Sequence, residues 1–429
     1  MKKGFYTIIA AQFFSSLADN ALLIAAIALL ADQHAASWMT PLLKLFFVLS
    51  YIVLAAFVGA FADAFPKGKV MFATNLIKIA GAVTMLMGIH PLIAYGIVGL
   101  GAAAYSPAKY GILTELLPSD CLVAANGWME GATVLSIVLG TVCGGMLTNP
   151  DIQQVVLEMR PLAIPHSTVT VLIIIAVYIA AALFNLRIPD TGVRYPPQQR
   201  DPVRLVRDFA RYFTLLWSDK IGRISLAVTA LLWGAAQTLQ FIVLKWAESS
   251  LGLSLSQASI LQAFVAVGVA IGAMTAAARI PLRRALDVLP IGVIIGASIL
   301  VMAFISRDIG PPSLAFHVGN IRVPAYMVMT CILLAYIGAM SGFFVVPMNA
   351  LLQHRGHVLL SAGHSIAVQN FSENLSILLM LSSYAILIWL NVTITAIIVF
   401  FSIFLVGVMS VIIQRHRTNH VYPVSSQAR

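Results

Sequence analysis

The sequence predicts an all-α membrane protein with twelve membrane-spanning helices. Three observations predict it. Twelve long apolar stretches run through the 429 residues. Hydrophobic residues make up 60% of the chain and charged residues only 10%, against about 25% charged in a soluble domain. Lysine and arginine gather in alternate short loops between the apolar stretches, where membrane topology puts them.

The elements follow from length. A span takes roughly 20 apolar residues at about 1.5 Å rise each. That places helices at roughly 7–31, 41–62, 70–88, 92–113, 122–147 and 167–188, then 221–247, 256–279, 285–305, 323–349, 361–388 and 391–414. The opening Met1-Lys2-Lys3 mimics a signal peptide, but its apolar run continues past Leu30. That is too long for an h-region, so it reads as the first span. Barrel strands would be about half as long and would alternate polar with apolar; these runs do not.

Placing the N-terminus inside puts nineteen of the 26 lysines and arginines on the cytoplasmic side. Three, Arg160, Arg307 and Arg322, fall outside, and Lys44, Lys78, Lys109 and Lys245 lie within or at the rims of spans. Both termini are therefore expected in the cytoplasm. The net charge of +10 then belongs to topology, and no nucleic-acid partner is expected.

The longest polar stretch, 189–220, holds Pro189, Pro196, Pro197 and Pro202 with Arg194, Arg200, Arg204, Arg207 and Arg211. It divides the chain into a six-helix half at 1–188, a basic cytoplasmic linker at 189–220, a second six-helix half at 221–414 and a cytoplasmic tail at 415–429. Six plus six is the outline of the major facilitator fold, whose halves surround a central cavity about an axis along the membrane normal. The halves echo each other weakly. Pro107 and Pro347 each precede a polar residue two positions on, Lys109 and Asn349, and the following span carries Glu130 or Glu373.

Charge deep in the spans is the main functional clue. Asp19, Lys109, Glu130 and Glu373 each cost roughly 2.5–3.5 kcal/mol at a helix centre. Such groups are paired, face a wet cavity or touch a polar cargo. In AQFFSSLADNALL, the residues Gln12, Ser16, Asp19 and Asn20 form one stripe. It is expected to line a cavity, the alternative being an ion pair of Asp19 with Lys109 or Lys78. Lys109 either snorkels to the interface or meets a phosphate inside the cavity. Lys78 and Lys44 are expected to snorkel. Lys245 sits at the outer rim, where it draws an anionic headgroup or anchors the helix.

The eleventh span, HSIAVQNFSENLSIL, sets Gln369 with Glu373 and Asn370 with Asn374 on adjacent stripes. Hydrogen bonds between membrane helices average about 0.6 kcal/mol, too little to account for keeping Glu373 there. In the seventh span, Trp233, Gln237 and Gln240 share a face and fit either cavity lining or packing. In GAFADAFPKGK, a glycine, an aspartate and a basic cluster (Gly59, Asp63, Lys67, Lys69) resemble the major facilitator loop signature, which implies a conformational latch, the alternative being a tight turn with ordinary positive-inside charge; Asp63 can accept from a neighbouring helix N-terminus. Lys67 and Lys69 are expected at the headgroup level.

Other chemistry is missing. The sequence has no GxxxxGK[ST] loop, no HExxH and no CxxC. Cys121, Cys143 and Cys331 have no metal-type spacing. No metal, cofactor or enzymatic activity is expected.

Together AQFFSSLADNALL, GAFADAFPKGK, GAAAYSPAKYGILTEL, AANGWMEG, GFFVVPMNALLQ and AVQNFSENLSILLML resemble the bacterial lysophospholipid transporters of the major facilitator superfamily. The resemblance runs in order over nearly the whole chain. It implies an inner-membrane flippase that carries lysophosphatidylethanolamine, lysophosphatidylglycerol and lyso-cardiolipins from the outer to the inner leaflet. It implies a monomer, and a functional partner, an acyltransferase/acyl-carrier-protein synthetase, that re-acylates them. It also implies that Asp19, Asn20, Lys109, Glu130, Gln240, Gln369, Asn370 and Glu373 bind substrate. Some members carry an arginine at the position of Gln240, so here the phosphate would fall to Lys109 or Lys245. The competing expectation is a proton-coupled major facilitator drug exporter using Asp19 and Glu373.

Overall fold

The computed structural model describes residues 3–117, 122–148, 166–193, 201–307, 315–318, 321–360 and 362–421. Cys121, Arg160, Arg194, Pro196, Pro197, Arg200 and the end of the tail lie outside the described residues.

The first half consists of α1 (Lys3–Asp32), α2 (Thr40–Ala64), α3 (Lys67–Leu86), α4 (Pro91–Leu116), α5 (Leu122–Leu147) and α6 (His166–Leu186). A further helix, α7 (Pro202–Ser218), lies in the stretch expected as a linker. The second half consists of α8 (Lys220–Leu251), α9 (Leu255–Arg279), α10 (Leu289–Met302), α11 (Ala325–Leu359), α12 (Ala362–Trp389) and α13 (Ile394–Val421). Twelve spans long and apolar enough to cross a membrane follow from all of these but α7, α10 counting together with the 3-10 segment Leu282–Val288 that leads into it. Among the described residues, one short hairpin, β1 (Ala315–Val318) against β2 (Ile321–Pro324), lies between α10 and α11.

Local chemistry sets the ends. Asp201 caps α7 by accepting from the Val203 amide, and Asp219 caps α8 by accepting from the Gly222 amide. Ser254 and Gln257 form a capping box at the start of α9. Pro107 and Pro347 stand inside α4 and α11, which continue through them. For this reason α11 runs to Leu359, beyond the end near 349 expected from the sequence.

Within the first half, α1 packs on α5 and α6, and α4 packs on α2 and α3. Within the second, α9 packs on α11, α8 on α12, and α10 on α13. The α9–α11 seam is very close because Gly268 and Gly272 face the α11 backbone, while Gly338 and Gly342 face the α9 backbone. Small residues four apart on both helices allow that approach. The halves meet along α2–α12 and α5–α9. Large apolar side chains such as Val53, Leu183, Phe304, Ile332, Leu379 and Phe400 are exposed on the outside, the inverse of a soluble surface.

Candidate functional site

A polar cavity of about 1230 Å³, mouth included, lies between the halves. Asp19, Asn20, Lys109, Glu130, Gln240, Gln369, Asn370 and Glu373 all line it. They arrive from α1, α4, α5, α8 and α12, so the fold brings together groups up to hundreds of residues apart in sequence.

On the α1 wall, Asp19 is already engaged. Its Oδ2 accepts from Lys78 Nζ at 2.7 Å and its Oδ1 from the Tyr178 hydroxyl at 2.7 Å. Lys78 also donates to Ser15 Oγ at 2.9 Å, and Ser15 donates to Asn75 Oδ1 at 2.9 Å. Asn20 donates to the Ser16 carbonyl at 2.8 Å. Two expectations are corrected here. Lys78 does not snorkel: it is 2% exposed, because the Asp19 carboxylate and the rings of Tyr105 and Tyr178, 5.0 and 5.9 Å from Nζ, hold its ammonium inside. Lys44 does not reach the interface either. It lines the cavity, with Nζ 5.0 Å from the Phe47 ring centroid.

The opposite side of the cavity is less neutralised. Lys109 Nζ lies 4.1 Å over the Tyr110 ring, and among the described residues no carboxylate comes within salt-bridge distance of it. The Tyr110 hydroxyl donates to Glu130 Oε1 at 3.2 Å. Gln369 Nε2 donates to Glu373 Oε1 at 2.8 Å. Asn370 Nδ2 donates to Ser106 Oγ at 2.9 Å and so ties α12 to α4 across the halves. Lys109, Asn349, Glu130 and Glu373 all line this one cavity. Beyond the Asp19–Lys78 pair, Lys44 and Lys109 with the carboxylates Glu130 and Glu373 give the chamber both signs of charge, which suits a ligand that carries both.

A second cavity of about 960 Å³ adjoins the first and shares Glu130, Thr133, Ile137, Trp233, Gln237 and Gln240 with it. Its remaining walls are mostly apolar, with Val134 and Val138 from α5, Val265 and Val269 from α9, and Val345 and Val346 from α11. Sequence reading misses this chamber. Its walls are ordinary apolar helix faces, and only the α5–α9 seam turns them into a cavity. Gln240 stands at the junction, its carbonyl accepting from Gln262 Nε2 at 3.1 Å.

The latch residues sit at the end of the bundle where α2 meets α12. Gly59 lies against the backbone of Gly363, and the Asp63 carboxylate lies against Gly363 in the first turn of α12, where a helix N-terminus favours negative charge. Lys67 is corrected: instead of standing at the headgroup level it is 5% exposed, donating to Asp63 Oδ1 at 2.6 Å and lying 3.6 Å from Glu115. Those two carboxylates are what keep it inside. Lys69 is exposed. Lys245 forms a half-exposed pair with Glu248 at 3.0 Å.

The Major Facilitator Superfamily model matches residues 8–380. The lysophospholipid transporter LplT of Yersinia enterocolitica is 39% identical over 397 residues, covering 92% of this chain and 90% of that protein. The lysophospholipid transporter LplT of Citrobacter koseri is 39% identical over 396 residues, covering 92% and 91%. Among solved structures, the human organic anion transporter MFSD10 shares the fold with a TM-score of 0.69 at 14% identity, over 96% of this chain and 100% of that one. The Escherichia coli fucose:proton symporter FucP does so with a TM-score of 0.63 at 14% identity, over 95% and 97%. With twelve spans, two six-helix halves and near full-length similarity to those transporters, the chain belongs to the Major Facilitator Superfamily and to its lysophospholipid transporter family.

Proposed function

We propose that this protein transports lysophospholipids across the bacterial inner membrane. It moves lysophosphatidylethanolamine, lysophosphatidylglycerol and lyso-cardiolipins from the outer to the inner leaflet, where an acyltransferase/acyl-carrier-protein synthetase re-acylates them. The protein acts as a monomer with both termini in the cytoplasm.

One observation supports the reading: a charged chamber and a mostly apolar one stand side by side and share six lining residues. A lysophospholipid has a charged head and a single tail. Lys109 takes the phosphate, a charge-assisted contact worth about 1.5–3 kcal/mol. Glu130 and Glu373 take an ammonium where the head has one. The tail lies along the valines of α5, α9 and α11. Rocking of the halves about the cavity carries the head across.

The experiment is a leaflet assay on reconstituted protein with labelled lysophosphatidylethanolamine and no ion gradient. Movement of the label between leaflets is expected. Strict dependence on a proton gradient, with no lysolipid moved, overturns the reading in favour of a proton-coupled exporter.

A further inference from the structure

The charged groups account for a headgroup and the valines for a tail, but neither accounts for the junction of the two chambers. Two buried polar atoms stand there without a hydrogen-bond partner among the described residues: Trp233 Nε1 and Gln237 Oε1. Both residues line both cavities. They lie one turn apart on one face of α8, roughly 6 Å along its axis. Buried polar atoms are almost always paired. Two adjacent exceptions where a polar space becomes an apolar one point to a ligand whose polar atoms arrive at that place.

Plain packing does not explain the residue types, because phenylalanine and leucine would fill the same space without an orphaned donor or acceptor. Their neighbours are satisfied. Thr133 accepts from Gln12 Nε2 at 3.3 Å and donates to the Met129 carbonyl at 2.8 Å. Tyr110 and Gln369 hold the two carboxylates. What remains is one N–H donor and one amide, next to each other, where the polar chamber meets the mostly apolar one.

Between the phosphate and the tail of a lysolipid lies a glycerol unit with one acyl ester and one free hydroxyl. An ester carbonyl accepts only, which suits the indole N–H. A hydroxyl both donates and accepts, which suits the amide. We propose that Trp233 and Gln237 read this glycerol unit, Trp233 Nε1 donating to the acyl ester carbonyl and the Gln237 amide pairing with the free hydroxyl. The assignment rests on the lysophospholipid reading above. It adds to that reading the means of selecting single-chain lipids: a diacyl lipid has no free hydroxyl for Gln237 and brings a second ester in its place.

The test compares three lipids in the reconstituted leaflet assay. These are a lysophosphatidylethanolamine, its analogue with hydrogen in place of the glycerol hydroxyl, and its ether-linked analogue lacking the carbonyl. The wild-type protein is expected to move the parent about three- to tenfold faster than either analogue, the effect of one hydrogen bond. Gln237→Leu erases the preference over the deoxy analogue and keeps the preference over the ether; Trp233→Phe does the reverse; Gln237→Glu, which retains an acceptor, keeps the hydroxyl preference. Each result is a ratio within one protein preparation, so it does not depend on yield. Equal wild-type rates for parent and analogues overturn the proposal, whether or not the variants fold. So does a preference that survives both substitutions. Wild-type protein that moves none of the three lipids removes the transport reading itself, an outcome distinct from equal movement of all three.

Discussion

Asp19 Oδ2 accepts from Lys78 Nζ at 2.7 Å, and this contact joins α1 to α3 inside the first half. Lys78 is 2% exposed and has its other contacts with Ser15 and two tyrosine rings. The pair is thus an internal ion pair in the cavity wall, with Asp19 already committed to a cation. That leaves Glu130 and Glu373 as the carboxylates open to a cargo.

Breaking a buried pair from one side costs more than removing both charges, because the survivor is left unpaired; the one-sided loss runs to about 3–5 kcal/mol. Asp19→Asn and Lys78→Met are each expected to lower thermal stability in detergent strongly. The double variant is expected to recover most of the loss. Thermal unfolding of all three checks it, and a double variant as unstable as the worse single variant contradicts the assignment.

Lys109 is the counter-example. Its ammonium is buried beside Tyr110 without a carboxylate in salt-bridge distance among the described residues, so its removal breaks no salt bridge. Lys109→Met is expected to leave thermal stability unchanged or raised while slowing lysolipid movement by about ten- to a hundredfold, the value of one charge-assisted phosphate contact. Wild-type transport in this variant would remove Lys109 from the phosphate site.

The headgroups separate the roles of the two carboxylates from that of the lysine. Lysophosphatidylethanolamine carries an ammonium and lysophosphatidylglycerol does not. Glu130→Gln and Glu373→Gln are expected to slow the first by about tenfold and to change the second little. Equal losses on both lipids would mean that the carboxylates act through the protein and not on the ammonium.

Much of this was legible in the sequence, and what was not has a physical reason. Twelve apolar runs gave twelve spans, because span length is set by bilayer thickness. The convergence of Asp19, Glu130 and Glu373 on one space follows from cost: buried carboxylates have few places to be. The partners were harder to read. The Asp19–Lys78 pair, 59 positions apart, stands in the sequence only as an alternative, with Lys109 offered beside Lys78, and Lys67 is buried through Glu115 as well as Asp63. Such pairings depend on which helices pack together, and neither spacing nor composition encodes that. The apolar chamber was hidden for the same reason. In α7 the polar face masked a helix whose other face, Phe209, Tyr212 and Phe213, packs against Phe371 and His364 of α12.

At the start of α8, the Arg355 guanidinium donates to both Asp219 oxygens, at 2.6 and 2.9 Å. These bonds, foremost among the causes, hold the Asp219 carboxyl below its ordinary range. The folded state therefore favours the ionised acid. The stabilisation is fully present above the unfolded carboxylate range, near pH 4, and is lost as pH falls through the lowered folded value. Wild-type protein should exceed Arg355→Met in thermal stability at neutral pH by a margin that shrinks on acidification below about pH 4. The pair is partly exposed, so the margin is small, about 1 kcal/mol or less. A margin that grows on acidification contradicts the assignment.

Gly363 offers a test of the latch at the other junction of the halves. A Cβ built on it would come 2.5 Å from Asp63 Oδ2 and 2.9 Å from Asp63 Cγ. A carboxylate held by Lys67 cannot yield easily, since Lys67 also bonds the Ala62 carbonyl at 2.7 Å. Any side chain at 363 must therefore push α12 away from α2, where Gly59 already touches the Gly363 backbone. Gly363→Leu is expected to open this end of the bundle, raising the labelling rate of a cysteine introduced at Gln353, a cavity residue, several-fold over the same cysteine in the Gly363 background. Unchanged labelling would show that the α2–α12 contact does not close the cavity at this end.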